Sequence, residues 1–224
     1  MATDLTTGQG LCAAVADTLN RQDLLSVIPS WVRMGEAQIG RVLRIREMIK
    51  RSTAVTSDDY ITVPSDFLEL KSLHLVTPNG RKRALKLTSN DELLDLDVRA
   101  AHAEGFGYIT LPACTGPTHY SVLDGTFRLA PPPVGSVTLE VVYYGALPAL
   151  DCDTFGASNW LLLKAPDLYL YSTLVFSAPY LNEDDRAQMW SQLASSALQG
   201  LNDQSEKAEH SGSRLNAPLA TFRR

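Results

Sequence analysis

At 224 residues, with 45% hydrophobic and 20% charged content, the chain carries enough apolar material for a buried core and is neither a disordered polymer nor a repeat array. A net charge of −5 excludes bulk electrostatic attraction to nucleic acid while leaving room for a local basic face. The three cysteines, Cys12, Cys114 and Cys152, lack Cys-x-x-Cys spacing and leave one over after any single disulfide, so all three are read as reduced, structural thiols.

The chain starts "MATDLTTGQG", with an acid where a secretory signal wants a basic segment and with no uninterrupted apolar run behind it. A soluble protein of the compartment of its synthesis is expected. "LCAAVADTLN" predicts a short apolar helix from Leu11 to Asn20. A second helix is predicted from Ser26 to Ile45, with Pro29 in its first turn, where it is tolerated. Ile28, Trp31, Val32, Gly35, Ile39, Val42 and Leu43 recur at spacings of three and four and form its apolar face. Arg33, Arg41 and Arg44 fall within about 80° of one another on the opposite side.

Between Glu47 and Tyr144 the period changes to short β-branched and aromatic runs: "AVTSDDYITVPSDFLELKSLHLV", "GYITLPAC", "HYSVLDGTFRLAPPP" and "SVTLEVVYYG". Gly, Pro, Asn and Asp punctuate them, which predicts an antiparallel β region. One short helix interrupts it at "SNDELLDLDVRA", where Ser89 caps and Asp91 and Glu92 meet the positive end of the helix dipole.

After Leu150 the helical period returns. "NWLLLKAPDLYLYSTLVFSAPYL", Asn159 to Leu181, is too interrupted by Lys164, Pro166 and Asp167 to supply the roughly 20 apolar residues of a bilayer span. A core helix from Asn159 to Phe176 is expected instead, then a second from Asn182 to Asn202 with Ala187, Trp190, Leu193, Ala194, Ala197 and Leu201 as its stripe. "SEKAEHSGSRLNAPLATFRR" has no period and few large apolar groups, and reads as an extended arm. The expected organisation is α+β: a helical domain from residues 1–46 and 152–207, a β-rich region over 47–151, and an arm over 208–224.

Sites for chemistry are few. His74, His102, His119 and His210 are scattered, and neither metal-ligand spacing, a nucleophile elbow nor a phosphate-cradling glycine loop occurs. "DCDTFG" at Asp151 resembles the start of a calcium loop, but the twelfth position, which must be a bidentate acid, is Leu162; a turn is expected. Asp58, Asp59, Asp66 and Glu69 could supply the paired carboxylates of a cell-wall hydrolase, yet "SDD" and "PSDF" read as turns bracketing a strand. No catalytic residue, metal or cofactor is expected.

Several segments in order carry a resemblance: "RVLRIREM", "ITVPSDFLELKSL", "FRLAPPP" leading to "LEVVYYGALPAL", and "NWLLLKAPDLYLYSTLVFSAPYLNEDDRAQMW". Together, from Leu24 to Leu201, they resemble the head-to-tail adaptor proteins of tailed bacteriophages, which dock beneath the portal. The resemblance implies a structural virion protein without catalytic activity, assembled in the host cytoplasm as a dodecameric ring. Its implied partners are other copies of itself, the portal, a tail nozzle or tail protein, and packaged DNA passing through the lumen; no membrane is involved.

In such a ring each subunit presents two different patches to its neighbours. The apolar stretch after Asn159 then serves the core on one side, with Tyr169, Tyr171, Phe176 and Tyr180 as candidates to reach a neighbour. The face carrying Arg33, Arg41 and Arg44 is either a solvated surface or one that meets the DNA channel or acidic portal surface. The arm, ending in "LNAPLATFRR", is expected to dock on the portal through Leu215, Pro218, Leu219 and Phe222, with Arg214, Arg223 and Arg224 pairing with acids. The alternatives are a DNA-binding module, disfavoured by net acidity and the lack of a helix-turn-helix signature, and another phage tail structural module such as a tail completion protein.

Overall fold

The computed structural model describes residues 4–96, 116–123, 125–133, 135–182 and 184–210. The protein is α+β and divides into two compact units, one built from the residues up to Arg46 and from Leu147 on, the other Glu47–Ala146. The predicted strand "GYITLPAC" lies outside the described residues.

In the helical unit α1 spans Gly8–Leu19; Thr7 caps it through its hydroxyl, and Asn20 ends it in the left-handed conformation that asparagine tolerates. α2 spans Ile28–Val42, three residues short of the predicted end. Leu43 and Ile45 are both fully buried. Burying residues two apart requires extended backbone, and Leu43 has ψ 123°. Helical geometry would have turned one of them to solvent.

The single helix predicted from Asn159 to Phe176 is two: α4 (Trp160–Lys164) and α5 (Pro166–Leu181). Pro166 disfavours helical backbone at the residue before it, and Ala165 sits at φ −142°, ψ 70°. α5 packs against α1, α2 and α6 (Asp184–His210). The expected packing of helices from both ends of the chain is therefore present. Covered on several sides, α5 still buries Ser172, Thr173 and Ser177, whose hydroxyls donate to the carbonyls of Tyr169, Tyr169 and Leu174 at 3.1, 2.8 and 2.8 Å. Bonding back into their own helix satisfies these groups without partners elsewhere.

Among the described residues the β unit holds two four-stranded sheets. One has the order β1 (Ile49–Thr56), β8 (Val137–Gly145), β3 (Phe67–Val76), β4 (Lys82–Ala84); the other β2 (Tyr60–Thr62), β7 (Thr126–Ala130), β6 (His119–Leu123), β5 (Lys86–Leu87). Pairing is antiparallel except between β5 and β6, which run parallel with Lys86 opposite His119, so the second sheet is mixed and not wholly antiparallel. Side chains from both sheets, among them Leu73, Leu139 and Val141 from one and Ile61, Phe127 and Leu129 from the other, form one core. Phe127 meets Phe67 and Tyr120 edge-on, at centroid separations of 5.6 and 6.1 Å. The helix α3 begins at residue 90 and is described to residue 96; Ser89 caps it as predicted, accepting from the amide of Glu92 at 3.3 Å.

Candidate interaction surfaces

The helical unit is organised around one buried polar node. The Tyr169 hydroxyl, on α5, donates to Glu36 Oε1 on α2 at 2.8 Å and accepts from Asn159 Nδ2 at 2.6 Å. Glu36 Oε1 also accepts from the amide of Leu150 at 2.8 Å. Asn159 completes the node, donating to the Pro148 carbonyl at 3.0 Å while its Oδ1 caps α4 at the amide of Leu162. Burial raises the Glu36 carboxyl above the usual range, against the opposing pull of the Tyr169 and Leu150 hydrogen bonds and the Arg33 charge. Desolvation likewise pushes the Tyr169 phenol upward.

This node corrects one of the candidate interface residues. Tyr169 has no exposed surface within a single chain and is committed to Glu36 and Asn159, so it cannot reach a neighbour. Tyr171 and Phe176 are half-buried. Tyr180 is 58% exposed and rests edge-on against Trp31 at 5.5 Å. Of the basic face, Arg33 and Arg41 are exposed on α2. Arg44 lies beyond the helix end and folds back to donate to the carbonyls of Gly40 and Leu43 at 2.9 and 2.7 Å, which removes it from the helical face. Arg214, Leu215, Pro218, Leu219, Phe222, Arg223 and Arg224 lie outside the described residues. α6 runs to His210, so residues 208–210 of the expected arm are helical.

Of the carboxylates considered for hydrolysis, Asp66 is held in an ion pair. Asp66 accepts from Lys50 Nζ at 2.5 Å and from the Tyr143 hydroxyl at 2.9 Å, and Lys50 above all holds it below the ordinary carboxylate range. A general acid needs the opposite shift. Glu140, paired with Lys82 at 2.8 Å and with Arg51, is lowered for the same reason. Asp151 closes a turn, its Oδ1 accepting from the amide of Asp153 at 2.8 Å and its Oδ2 from the Thr154 hydroxyl at 2.5 Å. No group of three or more His, Cys, Asp or Glu is poised to hold a metal among the described residues.

What the helical unit does offer is apolar surface. Of the described side chains of α6, a helix of 27 residues, only Trp190 and Leu201 are buried. Met189 and Leu193 face solvent, as do Leu163 of α4 and Met34 and Val42 of α2. A groove of about 180 Å³ lies among α2, α5 and α6, lined by Ile39, Val42, Leu168, Val175 and Leu198 together with small polar residues. That is below the roughly 300–1,000 Å³ of small-molecule sites. No described helix is long and apolar enough to cross a membrane.

No curated protein matches the chain. The SU10 adaptor protein family matches it from residue 6 to residue 220, nearly end to end. The chain therefore belongs to the SU10 adaptor protein family and is a bacteriophage head-to-tail adaptor, a structural protein of the virion.

Proposed function

We propose that the chain is the repeating subunit of a dodecameric ring that docks beneath the portal after packaging, closes the head, carries the tail or its nozzle and continues the DNA channel until ejection. Its work is assembly and not catalysis. The observation that carries this reading is the family match over residues 6–220. The exposed apolar side chains of α2, α4 and α6 support it, because a closed ring gives every subunit two unlike neighbouring patches to cover. Tyr171, Phe176 and Tyr180 remain the aromatic candidates for that contact. Arg33 and Arg41 are the candidates for a surface turned to DNA or to acidic portal groups.

The arm supplies the portal contact in this proposal, with Leu219 and Phe222 as apolar anchors and Arg214, Arg223 and Arg224 as ion-pair partners. Because α6 is described as far as His210, removing everything after His210 deletes the rest of the arm and keeps the whole of the described helix. That variant is expected to fold and remain soluble, yet to lose binding to purified portal rings in co-sedimentation. Unchanged binding would move the portal contact to the helical unit.

A further inference from the structure

The N-terminal turn of α1 is seated directly on the segment that follows the β unit. The Gly8 amide donates to the Ala157 carbonyl at 2.8 Å, and Gln9 Nε2 donates to the Asp153 carbonyl at 3.2 Å. A Cβ on Gly8 would stand 2.4 Å from the Asp151 carbonyl oxygen and 3.3 Å from Cys152 Cα, so only glycine allows this approach. Cys12 lies four residues after Gly8, on the same face of α1. Helix side chains lean toward the N-terminus, so its thiol is directed back to the turn that Gly8 seats on Cys152, and neither cysteine is in a disulfide. Residues distant in sequence thus bring the two cysteines to neighbouring positions inside one compact unit.

We infer that Cys12 and Cys152 are a redox-responsive pair that closes to a disulfide under oxidising conditions, clasping α1 to the chain that leaves the β unit. The two thiols differ in a way that assigns their roles. Cys12 is buried at 6% exposure, whereas Cys152 is half-buried and reachable. The neighbouring Cys12 thiol lowers the pKa of Cys152, against the opposing effects of burial and of the charges of Glu36, Asp153 and Asp151. With a low-molecular-weight disulfide as oxidant, the Cys152 thiolate attacks one sulfur, forms a mixed disulfide and releases one small thiolate. Cys12 then gives up its proton and attacks the Cys152 sulfur, releasing the second. Two protein thiols are oxidised, and one small disulfide is reduced to two thiols.

The bond closes a loop from Cys12 to Cys152 that contains the whole β unit, Glu47–Ala146, and a loop of that length strongly restricts the unfolded chain. A virion leaves a reducing cell interior for an oxidising exterior. The timing of closure, though not the bond itself, rests on the proposed assembly in the host cytoplasm.

The test uses the reduced full-length chain incubated with oxidised glutathione, alkylated, and mapped by peptide mass spectrometry without reduction. The expected product is a Cys12–Cys152 cross-link within one chain, with a melting temperature raised by about 5 °C or more. Cys12→Ala is expected to stop at a mixed disulfide on Cys152, and Cys152→Ala to leave Cys12 unmodified. A wild-type chain that stays unmodified, that halts at the mixed disulfide, or that links either residue to Cys114 would overturn the inference. Should Cys12→Ala fail to fold, the wild-type map and Cys152→Ala decide it alone.

Discussion

At the residue scale the helical unit depends on the Tyr169 hydroxyl, which joins α5, α2 and Asn159 at one buried point. Tyr169→Phe keeps the ring and removes the bridge, leaving Glu36 with a single described donor and Asn159 with one fewer acceptor. A loss of about 1–3 kcal/mol is expected in urea unfolding, the cost of partly unpaired buried groups. A variant as stable as the wild type would show that the node is merely tolerated. Glu36 also sets a pH dependence. Its folded-state pKa is raised, chiefly by burial, so its contribution is complete below the unfolded carboxyl pKa and is lost as pH rises through the folded value. Asp66 and Glu140 have lowered values, so their contributions are present above the unfolded pKa and are lost as pH falls through the folded ones. Glu36→Gln should therefore remove the loss of helical-unit stability on the alkaline side of the usual carboxyl range, read by hydrogen exchange of α2 and α5 across a pH series, while leaving the acid sensitivity of β3 and β8 unchanged. An identical pH response in α2 and α5 would contradict the assignment.

At the element scale the close approach of α2 and α5 depends on Gly35. A Cβ there would lie 3.1 Å from Ser172 Oγ and 3.5 Å from the Ser172 backbone carbon. Gly35→Val, which adds branching to that contact, is expected to cost about 1–3 kcal/mol through overpacking, and more if the helices part. Thermal melting with α-helical signal as the readout measures it, and an unchanged midpoint would mean that the interface yields. Much of this level was legible in the sequence. The Ser89 cap, Pro29 in a first turn, and the shift from period 3.6 to short β-branched runs are local signals, and the helices and most strands follow from them. The end of α2 is hidden in the sequence because Leu43 continues the helical stripe, and only burial of both Leu43 and Ile45 selects extended backbone. The break at Ala165 is encoded by Pro166, whose effect on the preceding residue the surrounding apolar run masks. The Glu36, Tyr169 and Asn159 node and the approach of the α1 turn to Cys152 join residues far apart in the chain, and no periodicity records such pairings.

At the scale of the whole molecule, the sequence departs from a self-sufficient protein in its surface. A helix of 27 residues that buries so little of itself, flanked by exposed Leu163, Met34 and Val42, leaves apolar area uncovered. Where such side chains lie together they mark association surfaces. The head-to-tail adaptor family gives the association its biological setting, and the resemblance was already visible in the order of four segments, none of them specific alone. What the family does not fix is stoichiometry, which in a closed ring follows from the rotation relating one patch to its complement. A subunit that closed rings freely would assemble without a head to receive it, so the chain alone is expected to stay monomeric. The deciding measurement is native mass spectrometry of the purified chain, alone and mixed with purified portal rings. The account predicts a monomer in the first sample and, in the second, a portal ring carrying twelve copies of this chain. Portal rings that bind no adaptor, or that bind a number other than twelve, would contradict it.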